Sequence, residues 1–139
     1  VVCAGRYSPL GRYMQTVKIY QIEFENGITS IRFTKNPNYA DLQQAVDDLA
    51  KNHAYEFRLW DFSDIAFDWS MNEIQNIADY GKEKFTIPNK AAVVAPQDLA
   101  YGLMRAFEVY RKQEHANARV FRTRQEALAW LEKHRTQSA

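Results

Sequence analysis

Three aspartates form the group whose residue types and spacing most resemble a site of chemistry. Asp61, Asp64 and Asp68 fall within the stretch LWDFSDIAFDW, and a hard cation such as Mg²⁺ takes oxygen ligands of this kind. Their spacing matches no calcium-binding loop, and no glycine stands at the turn. We therefore interpret them as solvated loop or capping residues, and the sequence predicts no metal site and no cofactor.

Asp61 and Asp98 form a second candidate pair, because each follows a predicted strand. The carboxyl ends of parallel strands share one edge of a sheet, where ligands bind in open α/β folds. Two close carboxylates at that edge can separate their pKa values and perform acid–base chemistry. No nucleophile–base pattern accompanies the pair, so we assign no catalytic residue. An enzyme that uses Asp61 and Asp98 is the weakest of three functional hypotheses.

Ser70 stands at the start of a predicted helix, where unpaired N–H groups and the helix dipole would stabilise a phosphate. Glu73 follows three residues later, and the two form a capping box that uses the same backbone donors. Asp64 and Asp68 would also repel a phosphate. We interpret Ser70 first as a helix cap and second as a candidate phosphorylation site.

Histidine and cysteine offer no metal pattern. His53, His115 and His134 are far apart, and no pair has the spacing of a zinc site. Cys3 is the single cysteine, which excludes an intrachain disulfide and fits a reducing compartment.

The pattern of apolar residues predicts the elements that position these side chains. A hairpin over 17–33 turns at Asn26-Gly27, a dipeptide that tolerates positive φ at both central positions. The other predicted elements are helix 36–54, strand 55–62, helix 70–81, strand 90–96, helix 98–113, strand 118–122 and helix 123–134.

Particular residues are expected at the helix ends and on one exposed face. Asp98 is expected to cap helix 98–113, and Gly81 to take the left-handed position that ends helix 70–81. Gly102 destabilises helix 98–113 by about 1 kcal/mol relative to alanine. Its presence there indicates that another group packs closely against the helix backbone or that a ligand approaches it. Three cations of the same helix are expected to form a solvated face: Arg105, Arg111 and Lys112.

The element order β-β-α-β-α-β-α-β-α predicts an α/β fold over residues 16–135, as a single domain. After the opening hairpin, strands and helices alternate, so we expect a five-stranded, largely parallel mixed sheet with four helices. Residues 1–15 contain glycines and a proline, and their apolar residues follow neither a helix nor a strand period. We interpret them as a disordered leader or an expression remnant, with Met14 as the candidate natural start.

The chain resembles the SpoIIAA-like branch of the STAS superfamily of sulfate transporters and anti-sigma factor antagonists. The resemblance covers about residues 55–131, through FRLWDFSDI, AAVVAPQDLAYGLMRAFEVYR and VFRTRQEALAWL. It implies a STAS-like fold and a cytoplasmic, non-enzymatic domain. In anti-sigma factor antagonists, a kinase modifies a serine at the start of the helix after the third strand. Ser70 matches the first serine of that motif, but Met71 stands where the modified serine belongs, so the switch does not carry over.

Composition narrows the class of partner. The hydrophobic content of 46% and the charged content of 25% are those of an ordinary globular domain, and the net charge of +1 argues against nucleic acid as a partner. No apolar run approaches the roughly 20 residues that span a bilayer.

The aromatic content of 14% is high, and part of it is expected at a binding edge. Our first hypothesis is a protein-interaction or regulatory domain that acts as a homodimer and contacts its partner through residues 61–71 and 98–105. The second is a carrier with a pocket for a small apolar ligand at the same edge. The expected binding edge comprises Trp60, Asp61, Asp64, Phe67, Trp69, Asp98 and Tyr101.

Overall fold

The computed structural model describes residues 4–7, 13–16, 19–52, 56–66, 69–86, 88–112 and 116–137. The strands are β1 (Ala4–Tyr7), β2 (Tyr13–Thr16), β3 (Tyr20–Glu25), β4 (Ile28–Phe33), β5 (Phe57–Asp61), β6 (Asn89–Val94) and β7 (Ala116–Phe121). The helices are α1 (Tyr39–Asn52), α2 (Met71–Lys84), α3 (Asp98–Arg111) and α4 (Arg124–Gln137).

All seven strands form one mixed sheet, and their order in space is their order along the chain. Strands β1 to β4 pair antiparallel, and β4 to β7 pair parallel. The predicted α/β class, four helices and five strands are confirmed, the strands being β3–β7. Strands β1 and β2 are additional and lie within or next to residues 1–15, where we expected a disordered leader. Strand β2 joins the sheet by backbone pairing to β3, and β1 joins it by pairing to β2.

The predicted hairpin is confirmed by its turn. Asn26 and Gly27 have φ of 55° and 77°, as a two-residue turn between twisted strands requires. Strand β3 then pairs with β4 so that Tyr20 lies opposite Phe33.

The helices cover the two faces of the sheet unequally. Helices α1, α2 and α3 contribute to one apolar cluster, and α4 contributes to another with Ala127 and Leu131. Strand β5 packs Trp60 against the first cluster, which Phe62 joins just after the strand ends, and it supplies Phe57 and Leu59 to the second cluster. As its sequence predicts, β5 is apolar on both faces and lies inside the sheet.

At the start of α1, two side chains exchange hydrogen bonds with the backbone. Asn38 Oδ1 accepts from the Asp41 N–H at 2.8 Å, and Asp41 Oδ2 accepts from the Asn38 N–H at 2.9 Å. Ser70 and Glu73 form the predicted capping box. Asp98 does not cap α3: Gln97 occupies the N-cap position, and the Asp98 carboxylate instead binds Arg122.

Gly81 also departs from its expected role. Helix α2 continues to Lys84 and is closed by Phe85, whose N–H donates to the Gly81 carbonyl at 2.9 Å. A Cβ on Gly81 would lie 3.2 Å from Nε of Arg111, so this glycine makes room for a side chain from α3. In the described part of the chain, none of the helices is long and apolar enough to cross a bilayer.

Candidate functional site

Asp61 ends β5 and is buried, with 4% of its surface exposed. Its Oδ1 accepts from the N–H of Ser63 at 2.9 Å and from the Ser63 hydroxyl. Its Oδ2 accepts from Nη1 of Arg124 at 3.0 Å, and Nη2 of Arg124 reaches Oγ of Ser30 at 3.3 Å. Of the two roles expected for Asp61, a solvated loop residue or a capping residue, the first is wrong, because Arg124 in the first turn of α4 covers the end of this interior strand.

The other two described carboxylates of the predicted edge are exposed, and each binds a different arginine. Asp64 accepts from Arg32, and Asp98 accepts from Arg122. Arg122 also donates to the Pro96 carbonyl at 3.2 Å. Since such exposed ion pairs contribute little to stability, they mainly set the charge pattern of the edge.

The two carboxylates of the enzyme hypothesis are held by separate partners. Asp61 is bound to Arg124 and Asp98 to Arg122, and no hydrogen bond among the described residues joins the two aspartates. An open polar cleft of about 330 Å³ lies beside Asp61, between β4 and α4. The charged groups of that cleft are mixed in sign, so it presents no strong field to a charged substrate.

The aromatic residues of the predicted edge are mostly core. The Trp69 side chain is buried at 8% exposure, its Nε1 donates to the Pro37 carbonyl at 3.2 Å, and its ring packs edge-on against Phe62. Trp60 and Phe62 stack with Phe33. The expectation that Trp69 is exposed is wrong, because its one polar atom is satisfied inside the protein. Phe67 and Asp68 lie outside the described residues.

A group of exposed residues, with the half-buried Tyr101, lies instead at the starts of two adjacent helices. Strands β5 and β6 are parallel neighbours, so α2 and α3, which follow them and pack together, both start at the same edge of the sheet. Met71 is 46% exposed and Leu99 is 64% exposed. We call this region the helix-start surface, and it consists of Met71, Asp98, Leu99, Tyr101 and Gly102.

Gly102 and Tyr101 complete the helix-start surface. A Cβ on Gly102 would meet no described atom within 4 Å, so close packing inside the chain does not explain this glycine. The Tyr101 ring carries the Arg122 guanidinium 4.3 Å from its centroid. Arg122 thus links Tyr101 and Asp98 at the start of α3, where Leu99 is exposed.

A cavity lies beneath α2 and α3, against β5 and β6, and encloses about 50 Å³. Trp60, Phe62 and Trp69 line one part of it, and Arg58 and Arg111 line another. A lipid-like ligand needs at least about 300 Å³, so the cavity is too small for the carrier hypothesis in the form expected.

Arg58 and Arg111 are buried, at 1% and 4% exposure. The expectation that Arg111 belongs to a solvated face is wrong, because Gly81 leaves space for its side chain against α2. Arg58 could have been found: it shares the strand phase of Trp60 and Phe62, which face the helices. Arg111 gives no such signal, because it ends its helix among other cations.

Ser70 is exposed, and its Oγ accepts from the Glu73 N–H at 3.1 Å. The Ser70 N–H donates to Oε1 of Glu73 at 3.0 Å. Both partners of the capping box are therefore engaged with each other, as the helix-cap interpretation requires.

No protein-family model matches the chain, and a search of curated proteins finds no match.

Proposed function

We propose that this chain is a STAS-like interaction domain that binds another protein through the helix-start surface. The observation that carries the proposal is the exposed Leu99 beside Gly102, in a helix interior where glycine destabilises and meets no described atom. A partner that approaches this backbone closely would give both residues a role.

The composition of the helix-start surface suits a protein partner. Interfaces combine an apolar centre with a polar rim and are enriched in Tyr, Met and Arg. Met71 and Leu99 would supply the centre, and Tyr101 with the Asp98–Arg122 pair would supply the rim.

The simplest partner is a second copy of this chain, and the proposal includes a homodimer. Two apolar patches of the same kind can bury each other across a two-fold axis. A cytoplasmic location is part of the proposal, as the STAS resemblance implies. Ser70 remains a candidate phosphorylation site beside Met71, at the border of the helix-start surface.

The experiment is a comparison of Leu99→Ser with Val109→Ser. Val109 is 73% exposed on the same helix but lies at its far end, which makes it a matched control. Native mass spectrometry and light scattering over a concentration series measure self-association, and pull-down from cell extract measures other partners.

We expect Leu99→Ser to weaken the complex at least tenfold and Val109→Ser to leave it unchanged. Equal effects of the two substitutions would contradict the proposed surface. A protein that stays monomeric and captures no partner that depends on Leu99 would contradict the proposed function.

A further inference from the structure

The outer face of α3 continues beyond the helix-start surface. With 3.6 residues per turn, positions three, four and seven apart share one side of a helix. Gly102 lies at the centre of this outer face, and two pairs of residues, each seven positions apart, flank it. The pairs are Asp98 with Arg105, and Leu99 with Ala106. All five residues are exposed except Ala106, which is half-buried.

The two pairs lie on opposite flanks of Gly102. At about 100° per residue, Asp98 and Arg105 both lie within about 60° of Gly102 on one side of the helix. Leu99 and Ala106 both lie within about 60° of it on the other side. One flank is therefore charged, with an anion before Gly102 and a cation after it, and the other flank is apolar.

Both charges of the first flank are accessible to a partner. The Asp98 side chain is 94% exposed, and its Oδ1 binds Arg122. Because a carboxylate has two oxygens and about four acceptor positions, it can accept a second guanidinium. The Arg105 side chain is 59% exposed, and its Nη1 lies 3.6 Å from Oε2 of Glu108, which is longer than a direct hydrogen bond.

This pattern is complementary to itself. When two identical helices face each other antiparallel across a two-fold axis, each flank meets the same flank of the other copy, with its direction reversed. With Gly102 on the axis, Asp98 of one copy lies opposite Arg105 of the other, and Leu99 lies opposite Ala106. A different protein as partner would require no such relation between residues of one helix, whereas a second copy requires it.

We propose that two copies of this chain cross antiparallel through α3, with Gly102 on the two-fold axis. The inference rests on the proposed function and adds the partner's identity and orientation to it. Two Asp98–Arg105 ion pairs, one at each end of the crossing, set the antiparallel direction. Leu99 of each copy packs against Ala106 of the other and supplies the apolar contact.

The crossing gives Gly102 a role. The distance between two packed helices depends on the side chains at their contact, and glycine permits the closest approach of the two backbones. Within its own chain, a Cβ on Gly102 would meet no described atom within 4 Å beyond its chain neighbours and the nearby backbone of α3. The cost of glycine in a helix interior is therefore offset in the dimer and not in the monomer.

The same symmetry leaves the far end of α3 outside the contact. Val109 and Lys112 lie about 10 Å and about 15 Å beyond Gly102, at 1.5 Å per residue. In that direction the α3 helix of the other copy extends only about 6 Å from the crossing, because it begins at Asp98. Neither Val109 nor Lys112 therefore contacts the other α3.

The experiment reverses the two charges separately. Asp98→Arg and Arg105→Asp are each prepared, and self-association is measured by light scattering and analytical ultracentrifugation over a concentration series. Each variant is measured alone, and the two are then measured as an equimolar mixture. Lys112→Asp is the matched control, because it reverses an exposed charge just after the end of the same helix. Circular dichroism checks that each variant is folded.

We expect each single reversal to weaken self-association at least tenfold, because each homodimer would then hold two pairs of like charges. In the mixture, a dimer with one copy of each variant pairs opposite charges at both ends. The mixture should therefore associate at least tenfold more tightly than either variant alone. Lys112→Asp should leave self-association unchanged.

Two results would overturn the antiparallel crossing: single reversals without effect, or a mixture that associates no better than its separate variants. If either occurs while Leu99→Ser still weakens self-association, the proposed function stands and only this geometry is wrong. A chain that stays monomeric but captures another protein through Leu99 also overturns the inference alone. The absence of any partner that depends on Leu99 overturns both.

A neutral pair of substitutions keeps the test decisive if Asp98→Arg does not fold. Asp98→Asn and Arg105→Gln each remove one charge of the same contact, so the double variant should associate about as weakly as either single variant. Losses that simply add would contradict the Asp98–Arg105 contact.

Discussion

Replacing Gly102 by alanine should stabilise the isolated protein. Gly102 lies inside α3, is exposed, and would place its new Cβ more than 4 Å from any described atom beyond its chain neighbours and the nearby backbone of its own helix. Alanine favours a helix interior over glycine by about 1 kcal/mol, and no described neighbour opposes the change.

The expected change in melting temperature follows from the size of the chain. An unfolding entropy of about 2.1 cal/mol/K per residue over 139 residues gives about 0.29 kcal/mol/K. A gain of about 1 kcal/mol therefore raises Tm by about 3–4 °C.

Gly81→Ala is the matched comparison, because it makes the same change in the interior of α2. There the new Cβ would lie 3.2 Å from Nε and 3.8 Å from Cδ of the buried Arg111. Overpacking costs about 1–3 kcal/mol, so we expect Gly81→Ala to be neutral or destabilising despite the same helix propensity.

The assay is thermal and urea unfolding in a Leu99→Ser background, so that self-association through the helix-start surface does not contribute to the measured stability. A Gly102→Ala protein that is no more stable than its parent would refute the reasoning that the site is open. In the chain with Leu99 intact, the same substitution should weaken partner binding while it stabilises the fold.

Three further predictions concern the helix cap, the buried ion pair and pH. Ser70→Ala should lower the free energy of unfolding by about 1 kcal/mol in urea titrations, whereas Ser70→Thr should retain most of the stability. Arg124→Met should cost about 2 kcal/mol because Asp61 stays buried without its cation, and adding Asp61→Asn should recover part of that loss in a double-mutant cycle. Burial, and then nearby lysine and arginine charges, lower the pKa of His134, so the unfolded chain binds more protons and stability should fall as pH drops through about 6.5. His134→Gln should flatten that slope in unfolding curves recorded between about pH 7 and pH 5.

Much of the fold could be predicted because its elements carry local signals. Asn26-Gly27 specifies its own turn, and Ser70 with Glu73 specifies a helix start. Apolar side chains on both sides of β5 predict a strand that is covered on both faces of the sheet. These signals depend on neighbours within a few residues, which a sequence displays directly. Strands β1 and β2 carry no such signal, because an edge strand can be added by backbone hydrogen bonds alone.

The site was harder to predict because its side chains are placed by distant residues. Trp69 appeared suited to a surface, but it is buried against Phe62 with its Nε1 bonded to the distant Pro37 carbonyl. Asp61 appeared solvated, and its partner Arg124 is 63 positions away. Arg111 is buried because Gly81 lies opposite. Each case depends on a pairing between elements, which spacing along one element does not reveal.

The sequential strand order has a consequence for how the protein is made. Each strand pairs with the one made just before it, so the sheet can grow at one edge as the chain leaves the ribosome. Helices α1 to α3 cover their face during that growth, but the opposite face waits for α4, which follows every strand. Until α4 is synthesised, Phe57 and Leu59 lack their cover, and Asp61 lacks Arg124. That interval is when a nascent chain of this protein is most exposed to aggregation and most dependent on chaperones.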